Sequence, residues 1–224
     1  MNLENVKHLT DGEKSIVRLA VGDNVLWQGL PKGYTKLDYI ETTGEQYIDT
    51  GFIPNQDTRV TCEFRLTEIV NLGGIYGARS SVVSNDFSLR TSYSSSVGNR
   101  WQPCYNNQYG TFTDVPVDKE WHTVDHNKNA FYFDGELKTQ SPFEYAKFTA
   151  PRPITIGAVK NNSSINYSKA RFRYFRVYDN GRLVRDLIPC QDAEGNIGMY
   201  DTLNAVFYGF VYATASAYAL EREE

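Results

Sequence analysis

Two closely spaced histidines are the first candidates for metal or acid–base chemistry. His122 and His126 flank Asp125, and on a helix this H-x-x-x-H spacing would bring both imidazoles onto one face to share an ion. Residues 121–127 instead predict a β-strand, on which four residues separate the two rings by about 13 Å. We therefore expect ordinary strand residues. The remaining histidine, His8, completes no nucleophile–base pair.

Paired carboxylates would indicate glycoside hydrolysis, because that reaction needs two acids flanking one bond. The nearest pair, Asp38 and Glu41, has an odd separation, so on a regular strand the two side chains point to opposite faces. The sequence contains neither a G-x-S-x-G elbow nor a phosphate-binding loop. It therefore predicts a protein that is not an enzyme and carries no cofactor.

A calcium site is the metal hypothesis that the residue types allow. Asp192, Glu194 and Asn196 present alternating oxygen ligands around Gly195. The stretch lacks the terminal bidentate glutamate of a full calcium loop. Turn formation alone also accounts for Asp, Gly and Asn at these positions, so the prediction is that no metal is bound.

A sugar-binding surface requires an exposed aromatic face beside amide groups, and residues 101–109 are the best stretch for one. The candidate carbohydrate-binding residues are Trp101, Tyr105, Asn106, Asn107 and Tyr109. The alternative is that Trp101 and Tyr105, which share parity on a strand, belong to the core. The sequence favours the core for these two.

Five arginines near the end of the chain could contact an anionic wall polymer. The alternatives are a solvated strand face or an interface with a neighbouring subunit. The residues of this group are Arg171, Arg173, Arg176, Arg182 and Arg185.

Length and charge limit the function classes. The chain has 224 residues and a formal net charge of -4, with 23 Lys+Arg against 27 Asp+Glu, so no global positive field favours nucleic acid. No apolar run approaches the roughly 20 residues that span a bilayer, which predicts no membrane partner. No secretory signal is visible, and Cys62, Cys104 and Cys190 lack paired spacing. We expect synthesis in a cytoplasm, reduced thiols and a buried Cys62.

The elements that must position these residues are short strands. The 16 Tyr, 12 Phe and 17 Gly suit pleated sheets, and residues 59–66 alternate strictly between apolar and polar. Asp134-Gly135 and Asn180-Gly181 predict tight hairpins, and a change of phase within 170–178 predicts a bulge near Tyr174. Further strands are predicted at residues 36–41, 46–50, 74–78, 87–91, 100–105, 121–127, 130–133, 154–158 and 182–189. We predict an all-β sandwich or barrel.

The two ends of the chain are predicted to lie outside the main domain. Residues 1–29 predict short strands at 6–9, 16–21 and 25–27, too small to bury a core alone. We predict an attachment segment that docks through Leu19, Val25 and Trp27. The alternative is that this segment adds an edge strand to the large sheet. Residues 30–212 form the main domain, and residues 213–224 form a C-terminal tail with weak helical character.

Motifs within residues 31–209 resemble the concanavalin A-like (laminin G-like) jelly-roll domains of gut bacterial surface proteins and their bacteriophages. The segments that carry the resemblance are PKGYTKLDYIETTGEQYIDTGFIPNQDTRV, IYGAR, EWHTV, FYFDGEL, ITIGA and FRVYDNGRLVRDLIPCQDAEGNIGMYDTLNAVFYG. In ITIGA, the small residue is expected where two sheets approach closely. The N-terminal VKHLTDGEKSIVRLAVGDNVLWQG is similar to leader modules of phage virion proteins. The implied fold is a concanavalin A-like jelly-roll β-sandwich with a small N-terminal β segment.

The resemblance implies three functions, which follow from the most to the least favoured. The first is a non-enzymatic bacteriophage virion structural protein, a head decoration or a tail or fibre component, that displays a lectin-like domain. It would be made in the host cytoplasm, lie on the virion surface and bind other virion proteins. The second is a carbohydrate-binding receptor-binding protein or a bacterial cell-surface adhesin, with a host cell-surface glycan as partner. The third is a glycoside hydrolase.

Overall fold

The computed structural model describes residues 30–80, 84–138, 143–161 and 163–212, together with the backbone of four short strands before residue 29. No helix occurs in these residues, and none of them forms a membrane-spanning helix. The regular structure is β throughout, in two large sheets and two separate hairpins.

Sheet I has ten strands, of which eight follow one path from edge to edge. In spatial order these are β15 (Glu136–Leu137), β14 (Ala130–Phe133), β13 (His122–Asn127), β8 (Thr58–Glu68), β19 (Lys169–Asp179), β20 (Arg182–Gln191), β21 (Ile197–Asp201) and β22 (Val206–Gly209). Off this path, β5 (Thr35–Lys36) pairs with β20, and β6 (Ile40–Thr43) pairs with β19.

Sheet II has nine strands. Its main path is β12 (Gln108–Tyr109), β11 (Gly98–Asn106), β10 (Asp86–Ser94), β9 (Gly74–Ala78), β16 (Thr155–Ile156), β7 (Gln46–Asp49) and β23 (Val211–Tyr212). Off this path, β17 (Ala158–Lys160) pairs with β9 and with β18 (Ile165–Tyr167).

The two sheets pack face to face around an aromatic core. Strand β8 shows why: Val60, Cys62, Phe64 and Leu66 are buried, while the intervening residues form the outer face. Its neighbour β19 lies more than a hundred residues later in the chain, as crossovers between the layers of a jelly roll require. The predicted all-β jelly-roll sandwich and the predicted burial of Cys62 are confirmed.

The turns and the bulge also follow the local sequence. Both residues of each predicted hairpin turn have positive φ, at 51° and 81° for Asp134-Gly135 and at 47° and 80° for Asn180-Gly181. The register between β8 and β19 shifts between Phe172 and Tyr174, so Arg173 is the extra residue. The predicted bulge near Tyr174 is therefore confirmed.

Two strands predicted as continuous are interrupted. Residues 36–41 divide into β5 and β6 because the chain changes partner between them, from β20 to β19. Residues 154–158 divide at Gly157, where φ is 83°. Alternation of residue types gives no indication of a change of partner, so neither break was predicted.

Gly157 lies where sheet II approaches sheet I, as expected for the small residue of the ITIGA segment. A Cβ added to Gly157 would lie 2.4 Å from Cγ2 of Thr42 on β6. Thr42 cannot turn away easily, because its hydroxyl donates to the Ser168 carbonyl at 2.9 Å and accepts from the Ala170 N–H at 3.1 Å.

We therefore expect Gly157→Ala to lower the free energy of unfolding by about 2 to 3 kcal/mol through backbone strain and overpacking. Gly98 is the matched control, since it also has positive φ but has nothing within 4 Å of the added Cβ. Gly98→Ala should cost only about 1 kcal/mol. Equal losses in urea denaturation of the two variants would contradict the close approach at Gly157.

The described strands before residue 29 are β1 (Leu9–Asp11), β2 (Lys14–Ile16), β3 (Arg18–Val21) and β4 (Asn24–Gln28). They pair as two hairpins, β1 with β2 and β3 with β4, and these hairpins are separate from both large sheets. Leu19 pairs with Trp27, and Ala20 with Val25, across the second hairpin. The side chains of Leu19, Val25 and Trp27 lie outside the described part of the chain, as does the predicted tail at 213–224. Their proposed docking role stays a prediction.

Candidate functional site

The outer face of sheet I contains a groove where strands β19 and β20 separate. These strands pair only from Phe175 and Leu187 to the hairpin turn. Beyond that point β6 pairs with β19 and β5 pairs with β20, so the short link at residues 37–39 fills the opening between them. The Leu37 N–H donates to the Pro189 carbonyl at 3.0 Å and fixes the link to β20.

This opening, together with β8 and the residue before β13, forms a groove of about 440 Å³ that we name the basic groove. It is lined by Lys36, Leu37, Asp38, Tyr39, Arg65, Trp121, Arg171 and Arg173. The bulge contributes to it, because Arg173 and Tyr174 are consecutive residues and both lie on the outer face.

Guanidinium groups lie over aromatic rings throughout this groove. Arg173 lies 3.9 Å and Arg65 5.4 Å from the centre of the Trp121 ring, and Arg171 lies 4.5 Å from that of Tyr39. Contacts of this kind are worth about 0.5 to 1 kcal/mol at exposed sites and restrain the long arginine side chains. The groove is therefore lined by cations whose positions are set by rings.

Carboxylates neutralise two of the arginines. Glu41 Oε2 lies 2.5 Å from Arg171 Nε, and Glu63 Oε1 lies 2.5 Å from Arg173 Nη1. The hydrogen bond from Arg171 to Glu41 raises the pKa of the guanidinium. Four cations against one carboxylate give the lining a charge of +3, and Glu41 and Glu63 reduce it to +1. This local excess is notable on a chain with a net charge of -4.

Arg65 is the arginine of the lining without a carboxylate. Its Nε is buried and has no hydrogen-bond partner, and its guanidinium forms no ion pair with any residue that the structure describes. A buried donor left unsatisfied costs about 1 to 3 kcal/mol. The described carboxylates therefore leave the charge of Arg65 uncompensated.

A second groove of about 730 Å³ adjoins the first and shares Leu37 and Tyr39 with it. It lies where the chain passes from β22 in sheet I to β23 in sheet II. The described residues that line it include no lysine or arginine: they are Leu37, Tyr39, Ile40, Glu41, Gln46, Asp192, Gly195, Asn196, Ile197, Phe207, Gly209, Phe210 and Tyr212.

Trp101 and Tyr105 cannot contribute to the candidate sugar site, because both side chains are 0% exposed, in the core that the sequence favoured for them. They point from β11 into the core, as the alternative held. Tyr109 is 59% exposed, Asn107 is exposed and Asn106 is half-buried at the end of β11. The five residues therefore do not form one surface. Trp101 and Tyr105 occupy alternate positions of β11 that face the core.

The calcium candidate has the geometry of a turn. Asp192 Oδ1 accepts the backbone N–H groups of Glu194 and Asn196 at 3.1 and 2.8 Å, and Oδ2 accepts the Asn196 side-chain amide at 2.8 Å. These hydrogen bonds lower the pKa of Asp192, chiefly through Asn196. Within the described residues no group of three His, Cys, Asp or Glu side chains gathers to hold a metal ion.

The histidines are strand residues, as predicted, and both point inward from β13. His122 lies between two carboxylates, with Nδ1 2.7 Å from Asp134 and Nε2 3.0 Å from Asp118. His126 is fully buried, and its Nδ1 lies 3.1 Å from the Tyr76 hydroxyl.

The predicted arginine cluster divides into two groups. Arg171, Arg173 and Arg176 lie on the outer face of sheet I, each paired with a carboxylate. Arg185 donates to the Thr50 carbonyl at 3.1 Å, and Arg182 is exposed beside the hairpin turn. Of the five arginines in the predicted cluster, only Arg171 and Arg173 therefore line the basic groove.

Six of the eight residues that line the basic groove were not predicted as binding residues: Lys36, Leu37, Asp38, Tyr39, Arg65 and Trp121. The polar face of β8 provided a signal for Arg65, because Arg59, Glu63 and Arg65 alternate with the core residues. Nothing local indicated that Arg65 would lie opposite Arg171, which is more than a hundred residues away.

Comparison with known proteins gives alignments with solved structures. No family model matches the sequence, and no curated protein matches it. Among solved structures, domains LG4-5 of the mouse laminin α1 chain align with 65% of this chain and 42% of their own, at 17% identity and a TM-score of 0.42. This chain thus spans less than half the length of that laminin chain.

Two other structures show similar values. A heptameric SAP-like pentraxin from Limulus polyphemus aligns with 67% of this chain and 76% of its own, at 12% identity and a TM-score of 0.44. A mutant Trypanosoma rangeli sialidase that displays trans-sialidase activity aligns with 75% of this chain and 30% of its own, at 12% identity and a TM-score of 0.40. These similarities assign no ligand or activity to this chain.

Proposed function

We propose that this protein is a non-catalytic binding protein whose basic groove binds an acidic saccharide. The observation that carries the proposal is Arg65, an uncompensated guanidinium held beside Trp121 in a groove that contains three other cations. A carboxylate or sulfate on a sugar would pair with the Arg65 guanidinium, which has no carboxylate partner among the described residues, through charge-assisted hydrogen bonds.

Aromatic rings favour a saccharide over a small inorganic anion. Tyr39 is 37% exposed at the mouth of the groove, and its ring centre lies 6.4 Å from that of Trp121. An aromatic side chain presents an apolar face together with a polar edge, which suits the mixed surface of a sugar ring. A phosphate or chloride ion would use the cations alone.

The carboxylates around the groove support binding without catalysis. Glu41 and Glu63 are each held in an ion pair with an arginine, and Asp38 is the one carboxylate in the lining. Hydrolysis of a glycosidic bond requires an acid and a base, or a nucleophile, at a fixed separation. Ion-paired carboxylates instead position the arginines.

The test is to measure binding of glucuronate-containing and sialylated oligosaccharides, with neutral analogues of the same size, by calorimetry. Arg65→Gln is expected to weaken binding of the acidic sugars about 10-fold, equivalent to about 1.4 kcal/mol, and raised salt should weaken binding by the original protein. The control is Arg182→Gln, which changes net charge equally at an exposed turn. Equal losses in both variants, equal affinity for neutral analogues, or no binding would overturn the proposal.

We further propose that the protein is a structural component of a bacteriophage particle that displays this domain on the virion surface. The support is the resemblance of residues 31–209 and of the N-terminal segment to phage proteins. The two separate N-terminal hairpins suit an attachment segment. A bacterial adhesin is the alternative setting for the same groove. Antibody labelling of intact particles in electron micrographs distinguishes a virion protein from an adhesin. Absence of the protein from purified virions contradicts the structural role.

A further inference from the structure

We infer that the ligand is an internal stretch of a polysaccharide in which acidic and neutral units alternate, running from the basic groove into the second groove. This inference rests on the proposed function and specifies its substrate class. The acidic unit lies against Arg65, and the neutral neighbour lies against the aromatic and amide groups of the second groove.

The adjacency of the two grooves is the first support. Leu37 and Tyr39 line both of them, so the grooves meet at the link between β5 and β6. Each groove falls within the range of about 300 to 1,000 Å³ that is typical of small-molecule sites. A ligand that filled only the basic groove would leave the larger adjoining groove empty.

The difference in charge between the grooves is the second support. The basic groove keeps a charge of +1 after its ion pairs, whereas the second groove has Asp192, the ion-paired Glu41 and no cation among its described residues. An acidic sugar is attracted to the first groove and repelled from the second. A chain that is acidic at every unit therefore fits the pair poorly.

Polar groups in the second groove suit a neutral sugar. Gln46 is only 5% exposed, and its Oε1 accepts from the Thr43 hydroxyl at 2.8 Å. No hydrogen bond joins its Nε2 to a described residue, and Gln46 lines the groove. Tyr212 is 61% exposed on β23 and supplies a ring on the same surface. An amide donor beside an exposed ring matches a hydroxyl or acetamido group on a sugar.

The experiment uses hyaluronan oligosaccharides, in which glucuronate alternates with a neutral amino sugar, and oligogalacturonides, in which every unit is acidic. Affinity should rise by about 10-fold from glucuronate alone to hyaluronan oligosaccharides, whereas oligogalacturonides should gain much less over galacturonate alone. Tyr212→Ala should remove the gain with length and leave binding of glucuronate alone unchanged. Tyr93→Ala, which removes a tyrosine of similar exposure that lines neither groove, should preserve the gain.

The outcomes separate this inference from the proposed function. Binding that is independent of length, or a gain that survives Tyr212→Ala, overturns the extended site and leaves the acidic-sugar site standing. An equal gain for oligogalacturonides overturns the alternation of acidic and neutral units. Failure of every length of both series to bind overturns the proposed function together with the inference. Thermal unfolding of each variant establishes that it is folded.

Discussion

Trp101→Ala is expected to lower the free energy of unfolding by about 3 to 5 kcal/mol, the usual cost of truncating a buried aromatic side chain. Trp101 is 0% exposed and packs against Phe64 and Phe133, with ring centres at 5.6 and 5.0 Å. Its Nε1 donates to the Pro116 carbonyl at 3.2 Å, so truncation also leaves that acceptor unpaired. Urea denaturation at neutral pH measures the loss.

Tyr109→Ala is the control for the Trp101 variant, because Tyr109 lies on the same segment of the chain but is 59% exposed. Its removal should change stability by about 0.5 kcal/mol or less. A Trp101→Ala protein that keeps its stability but loses binding of sugars would instead restore the sugar site predicted at residues 101–109.

Acidification from pH 6.5 towards pH 3 is expected to remove roughly 4 to 5 kcal/mol of stability through His126 alone. Burial lowers the pKa of this imidazole from 6.5 to about 3, because the charged form would lie in the core, stacked on Phe87 at 4.0 Å. Between these two pH values the unfolded chain binds a proton that the folded chain refuses. The contribution is therefore fully present above pH 6.5 and is lost progressively as the pH falls.

His126→Gln provides the comparison that isolates this group. Asp86 titrates in the same range in the opposite sense, because desolvation raises its pKa to about 6, and it is common to both proteins. The difference in stability between the original protein and His126→Gln, measured by urea denaturation at a series of pH values, should shrink as the pH falls from 6.5. Parallel curves would show that His126 does not carry the buried, neutral role assigned to it.

Features set by neighbouring residues could be predicted from the sequence, and features set by distant ones could not. The alternation in β8, the hairpin at Asn180-Gly181 and the bulge at Arg173 depend on residues within a few positions of one another. The basic groove depends on β8, β19 and the link at 37–39 meeting at one place. That meeting follows from how the sheets assemble, which local patterns do not encode.

The sugar-site hypothesis shows a second limit, which concerns faces rather than neighbours. Parity correctly placed Trp101 and Tyr105 on one side of a strand, but parity alone does not say whether that side faces the core. The answer comes from the opposing sheet, where Phe64 and Phe133 surround Trp101.

The bulge at Arg173 has a consequence for how this protein can change over evolutionary time. It adds one residue to the outer face of sheet I while Phe172 and Phe175 keep their places in the core. Deletion of a single codon there would restore a regular strand and remove one of the groove's cations, without rearranging the buried side of the sheet. Ligand preference could therefore be gained or lost by one-residue insertions and deletions while the fold is retained, which would let related proteins diverge in what they bind.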